Sequence, residues 1–165
     1  MSTTDNLKAA FAGESQANRT YLAFAKKAEA DGLPQIAKLF RAVAAAETVH
    51  AHAHLRVLGH VKTTAENLTA AMSGEAHEYQ KMYPEFISLA EKEGNRPAST
   101  SFRNAMAVEE THHGLYAQAL EAAKAGRDLP AAPIYVCEVC GHTVIGEPPD
   151  KCPVCAAARQ KFTAV

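Results

Sequence analysis

The sequence has no long apolar run. No segment approaches the roughly 18–20 residues that a membrane-spanning helix needs, and the N-terminal segment MSTTDNLKAAFAGES lacks the apolar centre of a signal peptide. A long run of lysine or arginine is also missing, and the formal net charge is -1. The sequence therefore does not predict the basic surface that binds a nucleic acid. We therefore expect a cytoplasmic protein with neither a membrane nor a nucleic acid among its partners.

Cysteine and proline are scarce in most of the chain. All four cysteines and five of the eight prolines lie after residue 126, whereas the earlier sequence is rich in alanine, glutamate, leucine and lysine, which favour helices. The 165 residues are 47% apolar and 21% charged, as in a globular protein. We predict a helical domain over residues 1–126, followed by a linker and a small cysteine-containing domain over residues 127–165.

Glycines and prolines divide the first domain into four helices. Glycines mark the helix ends, and prolines follow two of them where new helices begin. The predicted helices cover residues 4–31, 34–59, 65–93 and 97–125, to within a few residues. Short connections favour antiparallel neighbours, which predicts a mainly α protein with an up-down four-helix bundle. The second connection also allows a longer crossover, and the sequence leaves its path open.

The two halves of the helical region are related by an internal repeat with an offset of 62 residues. A duplicated helical hairpin explains this repeat. Duplication predicts a bundle with pseudo-twofold symmetry and a symmetric site between its hairpins. The matching pairs include Tyr21 with Tyr83, Phe40 with Phe102, Glu47 with Glu109, and His50 with His112.

Glutamate interrupts the apolar stripe of every predicted helix. An unpaired carboxylate buried in a bundle costs several kcal/mol or takes up a proton, and no lysine or arginine lies at the matching heights. Metal cations explain the pattern, because one Glu from each of two helices and a Glu-x-x-His from each of the other two form the ligand set of ferritin-like di-iron bundles. Such ligands suit iron or manganese. The candidate ligands are Glu14, Glu47, His50, Glu75, Glu78, Glu109 and His112.

A solvated surface pair is the ordinary interpretation of one Glu-x-x-His motif. It is disfavoured here because two such motifs stand at the same position of the repeat. Glu110 and His113 also have this spacing, but only the Glu109 and His112 pair lies on the apolar stripe and matches the repeat. The candidate pair is therefore Glu109 with His112.

The third helix differs from the first by one extra residue. Tyr83 follows Glu75 by eight residues, where the corresponding spacing in the first helix is seven, and Pro84 comes next. An extra residue beside a proline predicts a π-bulge or a kink. Glu78 has no counterpart in the repeat, so it is either an exposed helix carboxylate or a surplus ligand. We hypothesise that one iron changes partner with oxidation state, from His50 when reduced to Glu78 when oxidised.

Two CxxC pairs in the C-terminal segment form a tetrahedral thiolate signature. They comprise Cys137, Cys140, Cys152 and Cys155, with eleven residues between the pairs. So short a segment cannot bury an adequate core, and we expect a bound metal to supply its folding energy. The spacing allows zinc, as a structural ion, or iron, as a one-electron centre. A di-iron bundle in the same chain favours iron, because oxygen chemistry needs an electron supply.

Together these motifs resemble the rubrerythrin family over essentially the whole chain. The resemblance is carried by GESQANRTY, ETVH, GEAHEYQKMYPEF, EETH and the two CxxC pairs. It implies a ferritin-like bundle holding two non-haem irons and a rubredoxin-like domain holding one iron, or zinc in recombinant material, through four thiolates. Ala156 departs from the family, where glycine usually follows the last cysteine, and this departure bears on hydrogen bonding to the sulfur.

The same resemblance implies roles for residues and an activity. The seven candidate ligands would hold the two irons, with His50 as the redox-exchanged ligand, and Tyr21 and Tyr83 would hydrogen-bond to ligating carboxylates. The family reduces hydrogen peroxide to water in defence against oxidative stress, with electrons from NAD(P)H through separate reductases. We expect Glu78 and His50 to be the catalytic residues, with Glu78 as acid/base. We also expect a reductase or rubredoxin as electron donor and a homodimer or higher oligomer.

Two other functions fit parts of the sequence. A ferroxidase that stores iron would prefer oxygen to peroxide and assemble into a cage, but it needs no electron-transfer domain. A non-enzymatic bundle stapled by zinc would be colourless, whereas oxidised iron bound by four thiolates is red.

Overall fold

The computed structural model describes residues 2–165, so the first residue of the predicted 1–126 domain lies outside the described residues. The chain divides into two compact units, residues 1–62 and 63–165, which are described separately. The boundary predicted at residue 126 stays a prediction.

The first unit is a hairpin of two long helices, α1 over Thr3–Ala30 and α2 over Pro34–Val57. Ser2 caps α1, because its hydroxyl accepts from the backbone N–H of Asp5 while the Asp5 carboxylate accepts from the backbone N–H of Ser2. Pro34 lies in the first turn of α2, where no backbone donor is lost. Small side chains allow the two helices to pack closely, and the buried ones are Ala25, Ala28, Ala37, Ala44 and Ala51.

The second unit begins with a helical hairpin whose first arm changes its winding. That arm consists of α3 over Thr64–His77, a π-helical segment over Glu78–Met82, and α4 over Tyr83–Lys92. The second arm is α5 over Arg96–Lys124. The π-helical segment confirms the π-bulge that the eight-residue spacing and Pro84 predict, since the extra residue is absorbed in one wide turn. The four predicted helical segments are likewise confirmed to within a few residues.

A small antiparallel sheet follows the helices of the second unit. Its strands are β1 over Ile134–Cys137, β2 over Thr143–Ile145 and β3 over Phe162–Ala164, in the order β2-β1-β3. Val136 of β1 pairs with Thr143 of β2, and Cys137 pairs with Phe162 of β3. Cys137, Cys152 and Phe162 form the small buried core. Among residues 2–165, no helix combines the length and the apolar character needed to cross a membrane.

Candidate metal centres

The first unit brings three predicted ligands together. Glu14 lies on α1, and Glu47 and His50 lie one turn apart on α2. The Nδ1 atom of His50 is 2.9 Å from Oε2 of Glu47 and 4.0 Å from Oε1 of Glu14. One ligand atom from each residue lies within 4.8 Å of the other two, a spacing that one ion can bridge.

The second unit repeats this arrangement. Glu75 lies on α3, and Glu109 and His112 lie one turn apart on α5. The Nδ1 atom of His112 is 2.8 Å from Oε2 of Glu109, and again one ligand atom from each residue lies within 4.8 Å of the others. The internal repeat therefore produces two groups of the same composition, each with two carboxylates and one imidazole.

The carboxylates of the second group are crowded. Burial, followed by the neighbouring Glu109 carboxyl, raises the pKa of Glu75 to about 7. Burial and the charge of Glu109 also raise the pKa of Glu78, and burial together with these carboxylates raises the pKa of Tyr83. Negative charge is therefore costly here, and a bound cation would relieve it.

This donor set fits a divalent cation of the iron or manganese type. Two carboxylates and one imidazole in each group match the oxygen and nitrogen ligands that these ions accept. The carboxylates of two groups would balance the charge of two divalent ions. The chain thus carries two candidate groups, each able to hold one ion, with the ligand types of di-iron carboxylate proteins.

The other site residues predicted from the sequence are placed as follows. Glu78 begins the π-helical segment and influences the titration of Glu75, but it lies outside the three-residue group. The ring of Tyr21 contacts Phe24 and Phe40, with centroids 6.4 and 6.3 Å away. Tyr83 contacts Phe86 and Phe102 in the corresponding way. The metal-ligand, catalytic and hydrogen-bonding roles of all these residues stay predictions.

The four cysteines form a third group in the second unit. Sγ of Cys137 is 3.7 Å from Sγ of Cys155, and Sγ of Cys140 is 3.6 Å from Sγ of Cys152. A tetrahedral ion with metal–sulfur bonds of about 2.3 Å would hold its sulfurs about 3.8 Å apart, whereas a disulfide holds them at about 2 Å. The spacing therefore fits a four-thiolate metal site.

Two equivalent turns shape the cysteine group. The N–H of Gly141 donates to the carbonyl oxygen of Cys137 at 2.8 Å, and the N–H of Ala156 donates to that of Cys152 at 2.9 Å. Both turn residues have left-handed backbones, with φ of 87° at Gly141 and 59° at Ala156. Burial raises the pKa of the Cys140 thiol. At Cys152, burial is the largest single influence and acts in the same direction. Hydrogen bonds from the backbone of Cys155 and Val154 and from the neighbouring thiols together outweigh it, so the pKa is lowered.

Sequence reasoning missed two residues beside these groups. The Thr143 hydroxyl lies 3.0 Å from Nε2 of His112, a contact across 31 positions that no local pattern signals. His142 is partly enclosed beside it, and burial followed by the charge of His112 lowers its pKa. Its Nδ1 atom is buried and has no hydrogen-bond partner among residues 2–165.

Known proteins resemble the chain along its length. The rubrerythrin family model matches residues 5–120, and the model described as "Rubrerythrin, rubredoxin-like domain" matches residues 135–163. Rubrerythrin-2 of Clostridium acetobutylicum is 34% identical, over 98% of this chain and 96% of that protein. Nigerythrin of Nitratidesulfovibrio vulgaris is 38% identical, over 99% of this chain and 86% of its own.

A solved structure agrees with these sequence matches. Nigerythrin in a partially reduced state aligns with a TM-score of 0.60 at 35% identity, over 100% of this chain and 87% of that one. This similarity confirms the predicted fold class, mainly α and ferritin-like with a small C-terminal domain around four cysteines.

Proposed function

Because this chain belongs to the rubrerythrin family, we propose that it is a non-haem di-iron peroxidase that reduces hydrogen peroxide to water. One observation carries the proposal: a single chain contains two Glu/Glu/His groups and a four-cysteine group. Each peroxide takes up two electrons and two protons and gives two waters. When bound, the two irons would supply one electron each and the thiolate-bound iron would return electrons one at a time.

The proposal assigns the carboxylate and imidazole side chains to iron binding. Crowding of the Glu75 and Glu109 carboxylates supports it, because a cation removes the cost of placing them together. The exchange of His50 for Glu78 with oxidation state is part of the proposal. Its support is the 55% exposure of the His50 side chain, which leaves the ring room to move. The proposed ligands are Glu14, Glu47, His50, Glu75, Glu78, Glu109 and His112.

Glu78 is the proposed proton donor. Burial and the charge of Glu109 raise its pKa, so the carboxyl keeps its proton at a higher pH than an exposed glutamate does. Cleavage of the O–O bond needs protons at the departing oxygen, and a positioned acid with a raised pKa is suited to supply them. Tyr83 would keep its phenol proton for a hydrogen bond to a ligating carboxylate, because its pKa is raised too.

We place this reaction in the cytoplasm and assign the electrons to NAD(P)H, through a separate reductase or rubredoxin. The sulfur spacing supports a reducing compartment, since the four cysteines stand at metal-site rather than disulfide distances. We also propose a homodimer or larger assembly. Its support is the exposure of large apolar side chains on α2, with Leu39 63% and Val49 64% exposed, which a partner chain would cover.

Rapid mixing tests the activity. The full iron-loaded chain is reduced and mixed with hydrogen peroxide in one experiment and with oxygen in another. We expect faster oxidation by peroxide and a red chromophore from the four-thiolate iron. Faster oxidation by oxygen, with retention of an iron mineral, would establish the ferroxidase instead. A colourless protein in which metal analysis finds zinc and no iron would establish the non-enzymatic, zinc-stapled bundle.

The Cys152→Ser variant tests the electron supply. It is expected to keep one reaction of the reduced bundle irons with peroxide and to lose sustained turnover with NADH and a rubredoxin reductase. Val154→Ala is the control, because it changes the same turn and keeps all four sulfurs. Undiminished steady-state turnover in Cys152→Ser would refute the electron-relay role.

A further inference from the structure

The Thr143 hydroxyl lies between a candidate ligand and the cysteine group of the same unit. Its Oγ1 atom is 3.0 Å from Nε2 of His112 and 3.1 Å from the carbonyl oxygen of Gly141. Gly141 directly follows Cys140, and its N–H donates to the carbonyl oxygen of Cys137. One hydroxyl therefore connects the imidazole on α5 with the first cysteine turn.

The donors and acceptors along this connection can be assigned. A carbonyl oxygen only accepts, so the Thr143 hydroxyl donates its proton to Gly141. Thr143 Oγ1 then accepts from the imidazole, which places the ring proton of His112 on Nε2. Nδ1 is the atom that faces Glu109, at 2.8 Å. This arrangement makes Nδ1 the ligand atom whenever the carboxylates hold a metal.

The surroundings of the hydrogen bond are mostly apolar. A cavity of about 390 Å³ borders both His112 and Thr143, and its other walls are largely aliphatic, including Leu115 and Ile145. Hydrogen bonds are stronger in such surroundings than in water. The turn itself is packed on α5, since a Cβ added at Gly141 would lie 3.8 Å from Cγ1 of Val108. The Thr143 hydroxyl is thus held by its neighbours.

The internal repeat supplies a comparison. His50 stands in the position equivalent to His112 and makes the same contact to its own Glu47, at 2.9 Å. Its side chain is 55% exposed, whereas that of His112 is 25% exposed. Only the second unit contains the cysteine turns. Of the two histidines that the repeat makes equivalent, His112 is therefore the one that is hydrogen-bonded to a threonine hydroxyl.

We propose that Thr143 is a positioning residue for His112. Its hydroxyl fixes the imidazole with Nε2–H toward the cysteine turn and Nδ1 toward Glu75 and Glu109, and so docks the four-cysteine domain against a metal ligand of its own chain. This inference deepens the proposed function and rests on it for the identity of the metal. The position of the ring proton can be measured without peroxide.

Nuclear magnetic resonance of the zinc-loaded full chain, with ¹⁵N-labelled histidine, tests the proposal. In the wild type, the His112 ring proton is expected on Nε2, protected from exchange with water and close to the Thr143 methyl group. Thr143→Val keeps the branched shape and removes the hydroxyl, so the ring proton should exchange at least about tenfold faster, in line with the loss of a supporting hydrogen bond. Thr143→Ser should restore the protection.

The affinity for ferrous ion gives a second measurement. A merely structural role of Thr143 would not predict weaker binding in the valine variant together with full recovery in the serine variant. Chelator competition should show about tenfold weaker binding of one bundle iron in Thr143→Val, and wild-type binding in Thr143→Ser. Thr163→Val is the control, because its hydroxyl donates to Glu138, in the turn that follows β1, and makes no hydrogen bond to His112 among residues 2–165.

A His112 ring proton found on Nδ1 in the wild type would overturn the proposal, even if Thr143→Val failed to fold. Wild-type exchange and iron affinity in Thr143→Val would overturn it as well. A chain that shows the expected ring proton and fails to reduce peroxide would support the role of Thr143 while refuting the peroxidase.

Discussion

Glu75 and Glu109 bring their carboxyl groups together from two different helices, close enough for one to donate a hydrogen bond to the other. A pair of carboxylates at this distance cannot both carry full charge without cost. The pair therefore holds either a proton or a cation. This competition governs how pH affects the metal-free and the metal-bound chain.

The metal-free protein should lose stability as the pH rises from 4.5 to about 7. The folded state holds the proton of Glu75 with a pKa of about 7, above the ordinary value of 4.5, so the folded state binds more protons than the unfolded state in this window. The free energy of unfolding then falls as the pH rises from 4.5 to about 7, and it stays constant above about pH 7. Urea unfolding of metal-free Glu75→Gln should show a weaker dependence, and Glu85→Gln, an exposed change on α4, should behave as the wild type. A stability that rises through this window would contradict the shared proton.

Replacement of Glu78 should slow the reaction with peroxide. Glu78→Gln keeps the size of the side chain and removes its acid, which should reduce the single-turnover rate by about 100-fold. Glu110→Gln is the control, because Glu110 is exposed on α5 beside the candidate ligand Glu109. Rapid mixing of the reduced, iron-loaded variants with peroxide measures the effect. Equal rates in the two variants would remove Glu78 from the proton-transfer step.

Loss of the Asn18 side chain should destabilise the first hairpin. Asn18 is buried on α1 and donates to the carbonyl oxygen of Ala44 and to the hydroxyl of Thr48 on α2. Asn18→Ala removes both hydrogen bonds, which should lower the free energy of unfolding by about 1–2 kcal/mol. Asn6→Ala is exposed near the start of α1 and should have a much smaller effect. Equal effects of the two changes in urea unfolding would show that the buried amide does not stabilise the hairpin.

Glycine at position 156 should stabilise the cysteine domain. Ala156 is the one non-glycine residue with positive φ in residues 2–165, and its left-handed turn at φ of 59° strains a residue that has a Cβ. Ala156→Gly should raise stability by about 0.5–1 kcal/mol, after the entropy cost of glycine is subtracted. Ala158→Gly, at φ of -67°, should lower it. The rate at which a chelator removes the thiolate-bound metal measures both, and faster loss from Ala156→Gly would exclude strain at this turn.

The local features of the chain were predictable because they depend on neighbours in sequence. Helix ends follow from glycines and prolines, and the π-helical segment over Glu78–Met82 follows from one extra residue before Pro84. The Glu-x-x-His spacing of Glu109 and His112 places both side chains on one face of α5 whatever the rest of the chain does. Local geometry of this kind needs no knowledge of distant contacts.

Some contacts between distant segments were not predictable. The hydrogen bond from His112 to Thr143 spans 31 positions, and neither the residue types nor their spacing indicates it. The departure at position 156 was visible in the sequence, but the left-handed backbone of Ala156 was not.

The sequence by itself determined the helices, the repeated carboxylate and imidazole residues, and the two cysteine pairs, because each is written in spacings of a few residues. Only the tertiary structure decided that burial and the Glu109 carboxyl raise the pKa of Glu75, and that the Thr143 hydroxyl lies 3.0 Å from Nε2 of His112. Hydrogen bonding and charge interaction depend on distances of a few ångströms, and packing of separate elements sets those distances.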